Sequence, residues 1–418
     1  MSLRRNTLWN LVGSGLPLLA AAVAIPYTLQ QLGSEAFGVL TLVWTLIGYF
    51  SLFDFGVGRA LTVEVSRRVG EGGPLALGSV LRAGLFLTGL AGLLGVAVVA
   101  ALAQPLATQW LSISAPWQHQ ATLAFWITAV GVWPTTVTSG LRGALEGLNR
   151  FGASNVARMV MGIWMFGAPA VAIYWHGPDL AAIAVYLVVG RCLVLAGLLW
   201  PLAGYWRSGD KGVDRDDFSK LGVYGAWVSV TGVVGPLMVY GDRFFVSAAV
   251  GAESLPLYAI PQEGLLRLLL ISGALMAALL PRLAAVDEQE AARQYRRILG
   301  RMAAVMGLLC GAAGIVAYPV MQVWISPTFA TQAMPIVAIL CVGVWVNSLA
   351  SLPFTLLQAR GNPRLTAMLH LAELGVYLVV LWWATGQWGL IGAAVAWVAR
   401  VVLDAVLLQI AVRRLYGV

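Results

Sequence analysis

The amino-acid sequence predicts an all-α, polytopic membrane protein with about twelve transmembrane helices in two six-helix lobes. Hydrophobic residues make up 60% of the chain and charged residues only 11%, and the mean hydropathy is +0.82. These values indicate a chain that is surrounded mostly by lipid. Apolar runs of about 20 residues, long enough to cross a bilayer as a helix, recur along the whole chain. Short motifs also recur between its two halves, which predicts that the lobes are related by a repeat.

Twelve apolar runs are interpreted as transmembrane spans. The first run is longer than the apolar core of a secretion signal, and no small-residue cleavage site precedes a soluble domain, so we expect it to be retained. In chain order the spans lie at roughly 8–30, 37–54, 78–104, 120–145, 153–175, 180–205, 219–240, 255–281, 298–318, 332–358, 366–386 and 388–412.

Lysine and arginine residues fall on alternate connections between these spans. Arg4 and Arg5 precede the first span, and basic residues then occupy every second connection up to Arg413 and Arg414. Cytoplasmic connections of membrane proteins are enriched in such residues, so both chain termini are predicted to be cytoplasmic. The other connections contain no lysine or arginine; they are 31–36, 105–119, 176–179, 246–254, 319–331 and 385–387.

The net charge and the cysteines exclude several kinds of partner. The formal charge of +8 is mainly a signal of topology, and it favours contact with anionic lipid headgroups. Nucleic-acid binding would need a contiguous soluble basic face, which the sequence lacks. Cys192, Cys310 and Cys341 lie alone in apolar runs, so neither a metal site nor a disulfide is predicted. No cofactor is predicted.

A polar window, "RSGDKGVDRDDF" at 207–218, divides the chain into two predicted lobes. We interpret this window as a cytoplasmic linker because it is the longest break in hydrophobicity. It separates an N-terminal six-helix lobe at 1–206 from a C-terminal six-helix lobe at 219–418.

Two short matches indicate that the lobes arose by duplication. "LGSEAFGVLTL" at 32–42 matches "VGAESLPLYAI" at 250–260, at an offset of 218 residues. "GLNR" at 147–150 matches "GNPR" at 361–364, at an offset of 214 residues. Because each lobe has an even number of spans, the repeat is predicted to be parallel, with a pseudo-twofold axis along the membrane normal. Alternating-access transporters use this architecture, with the substrate site between the lobes.

Four stretches of the chain resemble the Wzx-type polysaccharide flippases of the multidrug/oligosaccharidyl-lipid/polysaccharide exporter superfamily. The opening "NTLWNLVGSGLPLLAAAVAIPYTLQQLGSEAFGVLTLV" is similar to that family's Pro-bearing first span and "LG...FG" connection. "YFSLFDFGVGRALTVEVSR" resembles its second span, which ends in "DFG" before a basic segment. "YGDRFFVSAAVGAESLPLYAI" and "ALLPRLA" resemble its Asp-bearing seventh span, the following Gly turn and the Pro at the end of the eighth span.

The resemblance implies a function in the synthesis of surface polysaccharides such as O-antigen or exopolysaccharide. It implies flipping of an undecaprenyl-diphosphate-linked oligosaccharide from the cytoplasmic to the periplasmic leaflet of the bacterial inner membrane, driven by a proton or sodium gradient. A polysaccharide polymerase is an implied partner. Drug-exporting relatives share the fold and are the first alternative. They commonly carry an acidic cation site early in the N-terminal lobe, whereas the first span here has no ionisable residue beyond Arg5.

Three arginines in apolar surroundings are candidates for binding the diphosphate: Arg191, Arg243 and Arg267. The planar guanidinium group suits phosphate oxygens, and ionisable groups at bilayer depth usually face a cavity or another polar group. Arg191 has the clearest pattern, because "LAAIAVYLVVG" precedes it and "CLVLAGLLWPLAG" follows. The structural alternative for Arg191 is bonding to backbone carbonyls or to an acid on a neighbouring helix.

Three acids are candidates for ion coupling or gating: Asp242, Glu263 and Asp54. Glu263 and Arg267 are four residues apart, so they are predicted to share one helical face and to pair. Adjacent residues point about 100° apart on a helix, so Asp242 and Arg243 are expected to meet different surroundings. Asp54 ends the second span, where a solvated cytoplasmic helix end is the alternative interpretation.

Other intramembrane charges are interpreted as structural. Arg142 with Glu146 and Arg400 with Asp404 have the spacing of local pairs, which lower the cost of charge in lipid. Arg158 has no local acid in the sequence and is expected to reach the cytoplasmic headgroups.

His370 and Glu373 lie close together on the eleventh span. A buried carboxyl beside an imidazole is a candidate proton carrier. The same span is peripheral in related folds, so we expect it to be secondary to the eighth span.

A membrane enzyme that processes glycans is the main competing class, and a structural scaffold is a third. Such an enzyme needs paired carboxylates, a metal-binding acidic motif or a basic pocket in a long loop. The predicted outer loops are short and lack lysine and arginine, and no P-loop is present. A transporter that is not an enzyme is therefore predicted. A scaffold would have no need for arginines at mid-depth.

Overall fold

The chain is helical almost throughout in a computed structural model. The structure describes residues 3–50, 56–70, 77–206, 234–235, 237–285, 288–360 and 363–416. No β-strand occurs in these ranges. Eight helices within them are long and apolar enough to cross a membrane, which confirms the predicted all-α membrane class.

The twelve predicted spans are consistent with these helices. The last of the eight covers two predicted spans, and the first two predicted spans, as far as residue 50, lie in one long helix at the start of the chain. Most of the seventh span, and all of the predicted linker 207–218, lie outside the described residues. The chain forms two compact units, residues 1–236 (unit 1) and 237–418 (unit 2). The predicted lobe boundaries themselves stay a prediction.

Unit 1 is built around one helix, α4, which packs against α1, α2, α3, α5 and α6. Leu61, Leu81, Leu141 and Leu145 are fully buried in its apolar core. The helices are α1 (Leu3–Phe50), α2 (Val57–Gly70), α3 (Leu77–Pro105), α4 (Ala115–Gly147), α5 (Phe151–His176) and α6 (Leu180–Leu199); a π-helix, Leu106–Trp110, follows α3, and short turns, Trp200–Leu202 and Ala203–Trp206, follow α6.

Unit 2 is built in the same way around α11, which packs against α8, α9, α10 and α12. Its core contains the fully buried side chains of Tyr295, Leu352 and Leu408. The helices are α7 (Asp242–Val250), α8 (Leu255–Leu266), α9 (Leu269–Ala285), α10 (Glu288–Trp324), α11 (Pro327–Ala359) and α12 (Pro363–Tyr416), with a 3₁₀ turn, Ala252–Ser254, before α8.

Two glycines break long helices where the sequence predicts separate spans. Gly33 interrupts α1 with φ 75° and ψ 169°, and Gly389 interrupts α12 with φ 58° and ψ −133°. A residue with a Cβ rarely adopts a positive φ, so glycine is favoured at both breaks. Each long helix therefore holds two predicted spans joined by a tight turn.

The turns of unit 1 recur in unit 2 in the same order. Each unit has a positive-φ glycine within two residues of its first and third predicted outer connections, and a serine at the N-cap of its central helix. The corresponding positions are Gly33, Ser114 and Gly177 in unit 1 and Gly251, Ser326 and Gly389 in unit 2. These agreements support the duplication that the two sequence matches indicate.

Small residues let α2 approach α4 closely. The hydroxyl of Thr62 donates to the carbonyl oxygen of Gly143 at 3.0 Å, and Ser66 donates to that of Gly147 at 3.2 Å. A Cβ added at Gly143 would lie 2.0 Å from the carbonyl oxygen of Gly58. Membrane helices commonly pack through such small residues because lipid provides no hydrophobic drive for association.

The substitution Gly143→Ala is expected to destabilise the protein by about 1–3 kcal/mol, because the added methyl group overlaps the α2 backbone. Thermal unfolding of detergent-purified protein, followed by tryptophan fluorescence, measures the change. Gly197→Ala in α6 is the control: an added Cβ there meets nothing within 4 Å. Its stability should equal or slightly exceed that of the wild type. Wild-type stability of Gly143→Ala would contradict the close packing of α2 on α4.

Candidate functional site

Asp242 and Arg243 lie within a continuous helical segment rather than at its outer end. Residues 237–240 are also helical, and the segment runs through α7 to Gly251, where φ is 97°. Asp242 is nine residues before Gly251, which corresponds to about 14 Å along a helix. In the predicted topology Gly251 lies at the outer surface, so the pair is expected about halfway into a hydrocarbon core about 30 Å thick.

Asp242 is fully buried and is held by two side chains of α8. The hydroxyl of Tyr258 donates to Asp242 Oδ2 at 2.5 Å, and Gln262 Nε2 donates to the same oxygen at 2.8 Å. Gln262 Nε2 also lies 3.2 Å from the Tyr258 hydroxyl. A charge buried in lipid surroundings needs such hydrogen bonds. The sequence analysis did not identify Tyr258 or Gln262, and their four-residue spacing on α8 was the available signal.

Arg243 shares Gln262 with Asp242, but its other partners are different. Its Nε donates to Gln262 Oε1 at 3.2 Å, and its Nη2 lies 2.9 Å from Glu263 Oε2. The guanidinium carbon is 4.9 Å from the centre of the Tyr240 ring, a cation–π geometry. Gln262 therefore links the buried acid to the buried arginine.

Glu263 joins Arg243 to Arg267. Its second carboxylate oxygen accepts a hydrogen bond from Arg267 Nη2, which confirms the predicted pair four residues apart. Arg243 is 5% exposed, Glu263 27% and Arg267 41%. The polar network thus begins at the fully buried Asp242 and ends at an arginine that can be reached from outside the unit.

The helix changes its winding at Arg267. The amide nitrogens of Arg267, Leu268 and Leu270 bond to carbonyl oxygens three residues earlier, at 3.3, 3.0 and 3.1 Å. Such 3₁₀ bonding inside a long helix is frequent at functional hinges. Pro261, six residues earlier in α8, lacks an N–H group and further weakens the regular ladder.

Arg191 lies alone in the interior of unit 1. Its side chain is buried in α6, and its Nη1 donates to the carbonyl oxygen of Leu187 at 2.6 Å. Among the described residues no carboxylate lies within ion-pair distance of it. The guanidinium of Arg191 therefore has one backbone hydrogen bond and no described carboxylate that balances its charge.

One pairing predicted from sequence spacing, Arg400 with Asp404, is wrong, and Arg158 has a partner that the sequence did not reveal. Arg158 has an acidic neighbour, because its Nη2 lies 3.5 Å from Glu146 Oε1 across the α4–α5 contact. Arg400 and Asp404 form no ion pair; Asp404 Oδ1 lies 3.4 Å from His370 Nε2 instead. In both cases a neighbouring helical segment supplies a partner that spacing along one helix cannot reveal.

Ser154 bridges the third predicted pair. Its hydroxyl donates to Glu146 Oε1 at 2.6 Å, and Arg142 Nε lies 3.4 Å from the same hydroxyl oxygen.

Asp54, a predicted coupling acid, lies outside the described residues. Outside the spans, the hydrogen bond from Arg67 holds the pKa of Glu64 on α2 at about 2.

Comparisons with known sequences point to polysaccharide transport. A family model described as polysaccharide biosynthesis protein matches residues 3–287. A Shigella flexneri protein, whose name assigns it provisionally to O-antigen transport, is 29% identical over 419 residues. That match covers 98% of this chain and 97% of the other protein.

Comparisons with solved structures identify the fold. An inward-facing multidrug resistance MATE family transporter of the MOP superfamily matches with a TM-score of 0.79 at 12% identity, covering 96% of this chain and 94% of the other. The lipid II flippase MurJ, in an inward closed conformation, matches with a TM-score of 0.76 at 12% identity, covering 97% and 87%. At these identities the similarity shows the fold alone.

The two arginines that share Glu263 are expected to differ in their effect on stability. Arg243→Gln should cost about 3–5 kcal/mol, because it leaves buried acceptors without their donor. Arg267→Gln should cost clearly less, because Arg267 is partly exposed and Arg243 still holds Glu263. Thermal unfolding of both purified variants measures the difference. Equal losses would contradict the gradient of burial along the network.

Proposed function

The chain belongs to the polysaccharide biosynthesis protein family, and from this membership we propose that it is a flippase for a lipid-linked oligosaccharide. The substrate is an undecaprenyl-diphosphate-linked oligosaccharide, which moves from the cytoplasmic to the periplasmic leaflet of the bacterial inner membrane by alternating access. The product is used for O-antigen or exopolysaccharide synthesis, and a polysaccharide polymerase is the expected downstream partner. The names of the Shigella flexneri relative and of the lipid II flippase support this proposal.

Arg267 is the observation on which the proposed site depends. It is the most exposed member of a network that begins at the fully buried Asp242, and it lies where α8 gives way to 3₁₀ bonding. Its fork of donors suits the oxygens of a diphosphate. Glu263 orients this guanidinium and also pairs with Arg243. An anion that binds Arg267 therefore competes with Glu263, which keeps its ion pair with Arg243.

Arg243 and Arg191 have supporting parts in this proposal. Arg243 contributes positive charge while its own hydrogen bonds position Gln262 and Glu263. Arg191 contributes a charge that no described carboxylate of unit 1 balances, and a phosphate oxygen would supply the missing partner.

Transport is proposed to use a proton or sodium gradient. When Arg267 leaves Glu263 to bind a phosphate, the charge around this carboxylate changes. Glu263 thereby links substrate binding to ion binding. Asp242 acts as a gating group, because its bonds to Tyr258 and Gln262 tie α7 to α8. Asp54 remains a proposed coupling acid at the end of the second predicted span.

The family and the named relatives favour transport over enzymatic processing of glycans. The proposed orientation has both termini in the cytoplasm, so the amino-terminal half of α10 lies near the cytoplasmic leaflet. Its arginines at 296, 297 and 301 are exposed there and suit anionic lipid headgroups.

Reconstitution in liposomes tests the proposed substrate. Protein in vesicles that contain an undecaprenyl-diphosphate-linked oligosaccharide should move this lipid between leaflets, as measured by its accessibility to an added glycan-modifying enzyme. The control measures uptake of a fluorescent organic cation by the same vesicles. Transport of the cation without movement of the glycolipid would favour the drug-exporter alternative.

Substitutions at Arg267 test the proposed site. Arg267→Ala should slow glycolipid flipping roughly tenfold, the equivalent of one charge-assisted hydrogen bond. Arg267→Lys should keep more of the rate because the charge remains. Arg158→Ala, an exposed arginine that also pairs with an acid, is the matched control and should flip at the wild-type rate. Undiminished flipping by both Arg267 variants would remove this residue from the site.

Arg191 is tested by the same assay. Arg191→Gln should slow flipping while Arg191→Lys retains part of the rate, because the proposal assigns a role to the charge. Thermal unfolding of each variant separates this effect from a loss of stability. A stable Arg191→Gln variant that flips at the wild-type rate would make the residue structural.

A further inference from the structure

A second group of ionisable side chains lies in α12, apart from the network of α7 and α8. One ligand atom from each of His370, Glu373 and Asp404 can be chosen so that all three lie within 4.8 Å of one another. His370 Nε2 is 3.4 Å from Asp404 Oδ1, and the imidazole ring stacks on Phe354 with centroids 5.5 Å apart. The Gly389 turn brings the two halves of α12 together, so residues 34 positions apart become neighbours.

Both carboxylates lie deep in the span. Glu373 is nine residues from Arg364, and Asp404 is nine residues from Arg413, at the two basic ends of α12. Nine residues correspond to about 14 Å of helix. Glu373 is only 2% exposed, and Asp404 is buried as well. Charge at this depth is costly unless it is paired, so the group needs a physical explanation.

Glu373 is not satisfied by its neighbours. Among the described residues, no donor forms a hydrogen bond with either of its carboxylate oxygens. The hydroxyl of Tyr377 and the Nε of Arg400 also have no hydrogen-bond partner in those parts of the chain. All three side chains line one small cavity of about 90 Å³ with apolar walls. A buried carboxylate beside such a cavity is expected to take up a cation or a proton.

The charged groups at Glu373 carry one more negative charge than positive charge. The groups that face it are Asp404 and His370, together with Arg400 from the second half of α12. The guanidinium carbon of Arg400 is 6.0 Å from the centre of the Tyr377 ring. The Nη1 atom of Arg400 lies 3.6 Å from the sulfur of Met238. Asp242 of α7 also acts electrostatically on Tyr377. Two carboxylates and one guanidinium carry a net charge of −1 while His370 is neutral.

We infer that His370, Glu373 and Asp404 form a binding site for one exchangeable proton. The proton is taken from water and bound by a carboxylate oxygen of Glu373 or Asp404 beside His370, and it returns to water when the site opens. No bond other than that to the proton is made or broken. Binding of one proton brings the group to net neutrality, which is the favoured state at bilayer depth.

A proton fits this site better than a metal ion does. Imidazole nitrogen is a poor ligand for sodium, magnesium or calcium, which prefer oxygen. The Arg400 guanidinium lines the same cavity as Glu373 and disfavours a divalent cation beside it. Histidine changes its charge within the physiological pH range, so its partnership with Asp404 suits an exchangeable proton.

Infrared difference spectroscopy of the full chain in liposomes tests the inference without any transport. Lowering the pH from about 8 to about 5, the range in which histidine titrates, should produce the carbonyl stretch of a protonated carboxylic acid. This band should be lost or shifted in Glu373→Gln and in Asp404→Asn, and its midpoint should move in His370→Gln. Glu64→Gln is the control, because a pKa of about 2 keeps Glu64 ionised over the whole range.

Two outcomes would overturn the inference. The first is a band that persists unchanged in both stable carboxyl variants, as checked by thermal unfolding. The second is stabilisation of the wild type by added Zn²⁺ or Na⁺ that disappears in Glu373→Gln, which would make the group a metal site.

The proton site itself does not depend on the proposed function; only its use in driving transport rests on that function. In the flipping assay, a pH gradient should accelerate the wild type but not Glu373→Gln, while flipping without a gradient remains in both. A wild type that shows the infrared band but moves no glycolipid would refute the proposed function and leave the proton site standing.

Discussion

Every polar group that this chain places in the bilayer must find its partner within the protein, because lipid offers neither hydrogen bonds nor solvation. The backbone meets this constraint by being helical in nearly all described residues. The side chains meet it less uniformly. Side chains of α8 hold Asp242 Oδ2 and Arg243 through several hydrogen bonds, whereas Arg191 has one backbone contact and Glu373 has no hydrogen-bond donor among the described residues. This contrast separates charges that hold the fold together from charges that are available to a ligand.

The same constraint explains how the α7–α8 network is arranged. Gln262 uses both ends of its amide: the nitrogen donates to Asp242 and the oxygen accepts from Arg243. One neutral side chain thereby links an acid and a base that point in different directions from adjacent positions. Glu263 then carries the connection to Arg267, so a change in the partner of the exposed arginine is transmitted to buried groups.

The charges of this network are not a requirement of the repeated fold. At the offset of 218 residues, Asp242 and Arg243 correspond to Ala24 and Ile25, and both of these apolar side chains are buried in unit 1. The glycine turns, by contrast, recur in both units because each connection needs a backbone conformation that residues with a Cβ rarely adopt. Turn chemistry therefore belongs to the fold, whereas the charges at 242 and 243 are specific to one unit.

The sequence by itself determined the membrane class and the pairing of Glu263 with Arg267, and it placed connections at or next to the glycine breaks at Gly33 and Gly389. These follow from hydrophobic length, from backbone sterics and from the geometry of a single helix, all of which are local properties. Only the tertiary structure decided the long-range partners. Tyr258 and Gln262 reach Asp242 from another helix, Arg158 turns to Glu146, and Asp404 joins His370 rather than Arg400. Such contacts depend on how each helix is rotated against its neighbours, and residue spacing along one helix does not contain that rotation.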